Sequence, residues 1–256
     1  MRKYINKKRK YITDYPAQGK TIILLHGFLS SKKYWSKVGP LLNNLGYRVI
    51  AIDLLGFGDA DKPKNNQYGY DEHLRHIRDT LLMMELKTDI ILVGHSMGAL
   101  LAMRFASEYP DGISQLALIN PPMYKDEHQA ATTLRTTNFL YRILLDSRFR
   151  HIFWIILRNI GPFASHTKHS REGSLSNVIN VAYFFEDIDA VKIPTLLFIG
   201  KKDRAIYMDN LLQVGVGENI NVTTAETGHH APRTNAKLVV EQIVSFAGKN
   251  GIIIHQ

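Results

Sequence analysis

Six apolar runs of strand length recur along the 256-residue chain, and they constrain its fold more than any other feature. None of them alternates apolar with polar residues. Continuous apolar strands are typical of a parallel sheet with both faces covered by helices. Helix-like stretches separate most of the runs, so the sequence predicts an α/β protein with a doubly wound, mostly parallel sheet. The runs occupy residues 21–26, 48–53, 90–95, 116–120, 194–200 and 219–225, and the helical stretches 33–45, 71–87, 97–109, 205–214 and 234–247.

The alternation of strands and helices fails once, over residues 123–185, where no convincing strand occurs. In this segment Phe149, Ile152 and Phe153 begin the i, i+3, i+4 spacing of one buried helix face. We therefore predict a helical cap at 123–185, inserted between a first core part at 1–122 and a second at 186–256. Ligands of open α/β sheets bind at the carboxyl ends of the strands, so a cap in this position would cover a site.

The formal net charge of +9 is concentrated in the first ten residues and in 121–185, and nothing resembling a nucleic-acid module accompanies it. We therefore expect no nucleic-acid partner. The absence of cysteine excludes disulfides, thiol nucleophiles and thiolate metal sites. We expect no secretory signal, because the N-terminus lacks an apolar core, and no membrane span, because the central run "IFWIIL" is too short. The cytoplasm is the default location, and the sequence leaves the oligomeric state unknown.

The third apolar run breaks off at the pentapeptide "GHSMG", residues 94–98, which matches G-x-S-x-G between a predicted strand and a predicted helix. Such a turn holds its serine in a strained backbone conformation above the sheet. The two glycines remove Cβ atoms that would collide with neighbouring chain. The following helix directs its N-terminal N–H groups at any anion formed beside Ser96. The pattern alone is common by chance, so the surrounding motifs decide its meaning.

Four further motifs follow predicted strands in a fixed order, and with them the chain resembles the α/β-hydrolase superfamily over nearly its whole length. "HGFLSS" resembles that family's His-Gly oxyanion loop, and Trp35 stands where the family often has an aromatic residue. "DLLGFGDADKP" is similar to the family's D-x-x-G-x-G-x-S-x-K-P turn, although Ala60 replaces the usual serine. The remaining two are "GKKD" and "ETGHH". The four motifs lie at 26–31, 53–63, 200–203 and 226–230.

The resemblance implies a Ser-His-Asp triad in the chain order Ser, Asp, His. Ser96 would be the nucleophile, His229 the general base, and Asp203 the carboxylate that orients the imidazole. The backbone N–H groups of Phe28 and Met97 would form the oxyanion hole.

Several neighbouring residues offer alternatives to this assignment. His230 adjoins His229 and stays open as the base. Another pattern of the family places the acid after the fourth apolar run, but Asn120 stands there and carries no negative charge. Asp187 and Asp189 precede the fifth run, and we expect both to be solvated loop residues at the opposite end of the sheet.

The other histidines indicate no metal site, because no third ligand accompanies either His73/His76 or His166/His169. His26 and His95 are expected to be hydrogen-bonded structural residues beside the site. We expect no metal and no cofactor. Candidate residues for the substrate pocket are Met123, Phe139, Trp154 and Ile155, for which plain packing of the cap against the core is the alternative.

These observations predict a cofactor-free serine hydrolase that cleaves a carboxylic ester with an apolar acyl group through an acyl-enzyme. The family's dehalogenases and epoxide hydrolases would require Asp at position 96. Carbon–carbon bond hydrolases, thioesterases, acyltransferases and perhydrolases share the same triad and stay open. A ligand receptor of the same fold without enzymatic activity is the alternative from a different class.

Overall fold

A computed structural model describes residues 9–136 and 164–249 of the chain. Seven strands form one sheet in the order β1-β3-β2-β4-β5-β6-β7. β1 pairs antiparallel with β3, and every other pair is parallel. The strands are β1 (Ile12–Tyr15), β2 (Thr21–Leu25), β3 (Arg48–Ile52), β4 (Ile90–His95), β5 (Ile113–Ile119), β6 (Thr195–Gly200) and β7 (Ile220–Ala225).

Helices connect the strands, and we number them over the described residues. Short 3₁₀ turns at Arg9–Tyr11 and Lys32–Trp35 and a π-helical turn at Leu175–Ile179 accompany them. No helix of the described ranges is both long and apolar enough to cross a bilayer. The helices are α1 (Val38–Asn44), α2 (Tyr70–Met83), α3 (Met97–Glu108), α4 (Glu127–Thr136), α5 (Lys168–Ser174), α6 (Phe184–Ala190), α7 (Ala205–Val214), α8 (Ala231–Thr234) and α9 (Ala236–Lys249).

The predicted doubly wound parallel sheet is confirmed. Each of the six apolar runs contains a strand, and β4 and β6 are buried at every position because helices pack on both faces of the sheet. One buried cluster includes residues of α2, α3 and α6, and the other includes residues of α1 and α9. The apolar pattern did not predict β1, whose four residues are half-buried or exposed at the edge of the sheet.

The segment 123–185 is described only in part. Within it, α4, α5 and the turn at Leu175–Ile179 are helical, and the boundary predicted between 185 and 186 falls inside α6. The helix predicted from Phe149, Ile152 and Phe153 lies outside the described residues. The assignment of this segment as a cap stays a prediction.

The strand order places a topological switch point at the carboxyl ends of β2 and β4. The chain runs from β2 outward to β3 on one side, and then crosses to β4 on the other side of β2. Crevices at such switch points are where open α/β sheets bind ligands. Ser96 follows β4 directly, and the loop at 26–31 follows β2.

Candidate active site

The turn between β4 and α3 holds Ser96 in a strained conformation, with φ 53° and ψ −123°. Close packing imposes it. A Cβ at Gly94 would lie 2.5 Å from the Cα of Ala99, and a Cβ at Gly98 would lie 2.5 Å from the carbonyl oxygens of Leu25 and His26. The glycines therefore allow α3 to approach β4 and β2, and Ser96 stands at the resulting corner.

Ser96, His229 and Asp203 come together from three different strand ends. His229 Nε2 lies 3.1 Å from Ser96 Oγ, and His229 Nδ1 lies 2.7 Å from Asp203 Oδ2. A carboxylate only accepts, so Nδ1 carries the proton and Nε2 is free to accept from the serine hydroxyl. The Asp203 side chain is nearly buried and that of His229 is partly exposed, which leaves the imidazole open to the cavity.

His230 faces a different partner. Its Nδ1 lies 3.3 Å from the hydroxyl of Tyr34, and in the described part of the chain it bonds neither Ser96 nor Asp203. Burial is the main reason that its pKa is lowered, and the charge of His229 adds to the effect. Of the two adjacent histidines, His229 is therefore the one with the geometry of a base for Ser96.

The two proposed oxyanion donors lie on either side of the serine. Met97 is the first residue of α3, so its N–H has no partner within the helix. Phe28 lies in the loop after β2, where a Cβ on the preceding Gly27 would approach Ser96 Cβ to 3.1 Å. Neither N–H donates a hydrogen bond within residues 9–136 and 164–249. Both remain available to an oxyanion.

Asn120 and His95 hold the backbone that carries His229. The Asn120 amide donates to the carbonyl oxygens of Gly228 at 3.1 Å and His229 at 2.9 Å, while its own oxygen accepts from the N–H of Gly200 at 2.7 Å. His95 Nε2 donates to the His229 carbonyl at 2.8 Å. Burial holds the pKa of His95 well below its ordinary value, so the ring stays neutral. The only signal for this role of Asn120 in the sequence was its position at the end of the fourth apolar run.

A cavity of about 310 Å³ opens beside these groups. Met123 does not line it, contrary to the prediction. Its side chain is fully buried in the core, and Pro122 and Tyr124 form the wall at this point. The other three predicted pocket residues, Phe139, Trp154 and Ile155, lie outside the described residues.

Sequence reasoning missed most of the cavity wall, because its residues are brought together from distant parts of the chain. Arg204 carried the clearest signal, since it is a cation directly after the predicted triad aspartate. The lining residues missed in this way include Tyr124, Leu175, Ile179, Arg204, Tyr207 and Arg233.

Comparison with known proteins identifies the family. The profile described as "alpha/beta hydrolase fold" matches residues 20–142. The uncharacterized hydrolase YugF of Bacillus subtilis is 26% identical over 277 aligned positions, which cover 92% of this chain and 93% of that protein. The chain belongs to the α/β-hydrolase superfamily.

Solved structures agree with this assignment of the fold. MenH from S. aureus superposes on this α/β hydrolase with a TM-score of 0.72 and 20% identity, covering 94% of this chain and 99% of the other.

A probable lysophospholipase of Arabidopsis thaliana, BODYGUARD 1, is 40% identical over 119 residues, which cover 44% of this chain and 24% of that relative. The matches span less than half the length of each of the five plant relatives of this name.

Proposed function

We propose that this α/β hydrolase is a serine hydrolase that cleaves carboxylic esters through an acyl-enzyme, with no cofactor. The observation that carries the proposal is the chain of hydrogen bonds from Ser96 through His229 to Asp203. Relatives named hydrolase and probable lysophospholipase support a hydrolytic activity.

In the first half of the reaction, Ser96 Oγ attacks the carbonyl carbon of the ester while His229 Nε2 takes the hydroxyl proton. Asp203 accepts from Nδ1 and stabilises the imidazolium that forms. The N–H groups of Phe28 and Met97 donate to the carbonyl oxygen as it becomes negative. His229 then returns the proton to the alcohol, which leaves.

In the second half, water attacks the acyl-enzyme. His229 takes a proton from the water and later gives it to Ser96 Oγ, so that the acid is released and the serine is restored. The same sequence of steps serves a thioester or an activated carbon–carbon bond, which makes the leaving group the property to vary in experiments.

A fluorophosphonate probe tests the proposal directly, since it phosphonylates only a serine activated by a neighbouring base. We expect the wild-type protein to be labelled, with the modified peptide containing Ser96. Labelling should be lost in Ser96→Ala and fall by at least about 100-fold in rate in His229→Gln. Ser36→Ala, which alters an exposed serine, is the matched control.

In Ser96→Ala, ester hydrolysis should be lost together with the fluorophosphonate labelling. A panel of aryl esters of increasing acyl length, with a thioester and a carbon–carbon hydrolase substrate beside it, identifies the bond that is cleaved. A folded wild-type protein that neither reacts with the probe nor cleaves any member of the panel would contradict the proposal.

A further inference from the structure

Arg204 places a guanidinium in the cavity beside the triad. Its backbone N–H donates to Asp203 Oδ1 at 2.9 Å, so the main chain of this residue supports the triad carboxylate. Its side chain takes another direction, toward Tyr124 and Tyr207, and Arg204 is one of the residues that line the cavity beside Ser96 and His229. One residue thus contributes to the triad with its backbone and to the cavity wall with its side chain.

Two buried tyrosines fix the position of the guanidinium. Arg204 Nη1 donates to the hydroxyl of Tyr124 at 2.6 Å and to that of Tyr207 at 3.0 Å, and the two hydroxyls lie 2.9 Å apart. The Tyr207 ring lies 5.8 Å from the guanidinium carbon. Nε and Nη2 make no hydrogen bond within the described ranges. The donors that a planar anion would use in pairs are therefore held in place, and no group of residues 9–136 or 164–249 occupies them.

The Arg204 guanidinium also lacks a close ion-pair partner among the residues that the structure describes, although the Asp203 carboxylate acts on it from a longer distance. In the described part of the chain, no carboxylate lies within ion-pair distance of its guanidinium. Among the described residues that line the cavity, Asp203 is the one carboxylate, and His229 and the Arg204 N–H occupy its two oxygens. Arg233 adds a second guanidinium to the lining. A carboxylate carried by a ligand would supply the close counter-ion that the described residues do not.

We propose that Arg204 binds a carboxylate carried by the substrate, on the assumption that the proposed ester hydrolysis holds. Leu175 and Ile179 line the same cavity and would contact an aliphatic chain. The substrate class is then an ester with a short apolar chain that ends in a carboxylate. The apolar acyl group expected from the sequence becomes the linker between the scissile bond and the anion.

Two matched series of esters test this inference in a pH-stat. One holds the monoethyl esters of C4 to C8 dicarboxylic acids, and the other the ethyl esters of monocarboxylic acids with the same numbers of carbons. We expect wild-type kcat/KM to favour the carboxylate series at one chain length by about 100-fold. Arg204→Met should reduce that ratio to near 1, and Arg204→Lys should restore part of it, because lysine keeps the charge without the planar fork.

Arg75→Met is the matched control, because it removes an arginine from the exposed face of α2 and should leave both series at wild-type rates. Equal rates for the two series in the wild type, or an equal loss on both series in Arg204→Met, would overturn the carboxylate subsite while ester hydrolysis stands.

A binding measurement separates this inference from the proposed function. Calorimetric titration of the Ser96→Ala variant with each of the monoethyl esters requires no turnover. We expect binding that weakens at least about 30-fold when Arg204→Met is added. If the esters bind in this way but none is hydrolysed, the proposed function fails and the carboxylate subsite stands. Unchanged affinity in the double variant would count against the subsite whatever the activity.

Discussion

Residue 96 shows how a strained backbone is used at a single position. Its φ of 53° is unfavourable for any residue with a Cβ, and the close packing of α3 against β2 and β4 imposes this conformation on the turn. Strain of this kind costs about 1–3 kcal/mol and is retained where function requires it. In exchange, the hydroxyl lies at the corner of the turn within reach of His229.

Removing the Cβ at this position should therefore stabilise the protein. We expect Ser96→Gly to unfold with a free energy about 1 kcal/mol above that of Ser96→Ala, because glycine adopts positive φ without strain. Urea denaturation of the two inactive variants measures the difference. In an ordinary helix or strand, a glycine variant is less stable than an alanine variant. A lower stability of Ser96→Gly than of Ser96→Ala would therefore contradict the strain argument.

At the scale of elements, an ion pair joins α3 to α6. Arg104 Nε lies 2.5 Å from Asp187 Oδ1, and the guanidinium carbon lies 4.7 Å from the ring centre of Tyr70 and 5.0 Å from that of Tyr183. The prediction of a solvated loop residue was wrong for Asp187, which lies in α6 with its side chain 5% exposed. Burial raises the pKa of Asp187 to about 6 even with Arg104 beside it. The carboxylate is thus costly to keep charged and depends on its partner.

We expect Arg104→Met to lower the free energy of unfolding by about 3 kcal/mol at pH 7.5, because it leaves the Asp187 carboxylate buried and unpaired. The double variant Arg104→Met/Asp187→Leu should recover most of this loss, since an apolar pair leaves no buried charge. Chemical denaturation of the two variants and the wild type decides the point. A double variant no more stable than the single one would show that lost packing of Arg104 accounts for the effect.

At the scale of the whole molecule, neutral buried histidines tie the strand ends together. His26 Nδ1 donates to the carbonyl of Gly27 at 2.8 Å, and Nε2 accepts from the N–H of Leu54 at 3.0 Å, which connects the loops after β2 and β3. A protonated ring could not accept at Nε2. Burial lowers the pKa of His26 to about 4, so the fold keeps the ring neutral at a pH where the unfolded chain protonates it.

The sign of the pH dependence follows from this difference. The unfolded chain binds a proton at His26 below its ordinary pKa of about 6.5, whereas the folded chain does so only near 4. The neutral His26 ring therefore contributes fully to the free energy of unfolding above pH 6.5. This contribution, about 3 kcal/mol, is lost as the pH falls toward 4. Urea unfolding should show that the free energy of unfolding declines less between pH 7.5 and 4.5 in His26→Gln than in the wild type. Equal declines in the two proteins would exclude His26 as a source of the pH dependence.

The fold class and the order of the motifs could be predicted from the amino-acid pattern alone. Continuous apolar strands require burial on both faces, and that requirement is local enough to be read from runs such as 21–26 and 90–95. The resemblance to the α/β hydrolases then selected Ser96, Asp203 and His229, and it is consistent with their positions because the carboxyl ends of parallel strands share one edge of the sheet.

The surroundings of those three residues, in contrast, depend on contacts made in the folded chain. Which of two adjacent histidines faces the serine depends on the rotation of the backbone after β7, which Asn120 and His95 fix from other strands. The burial of Asp187 and the position of the Arg204 guanidinium depend on contacts made by α3 and by Tyr124, all distant in sequence. Burial and charge pairing are sums over neighbours in space, and a linear pattern contains them only where those neighbours are also close along the chain.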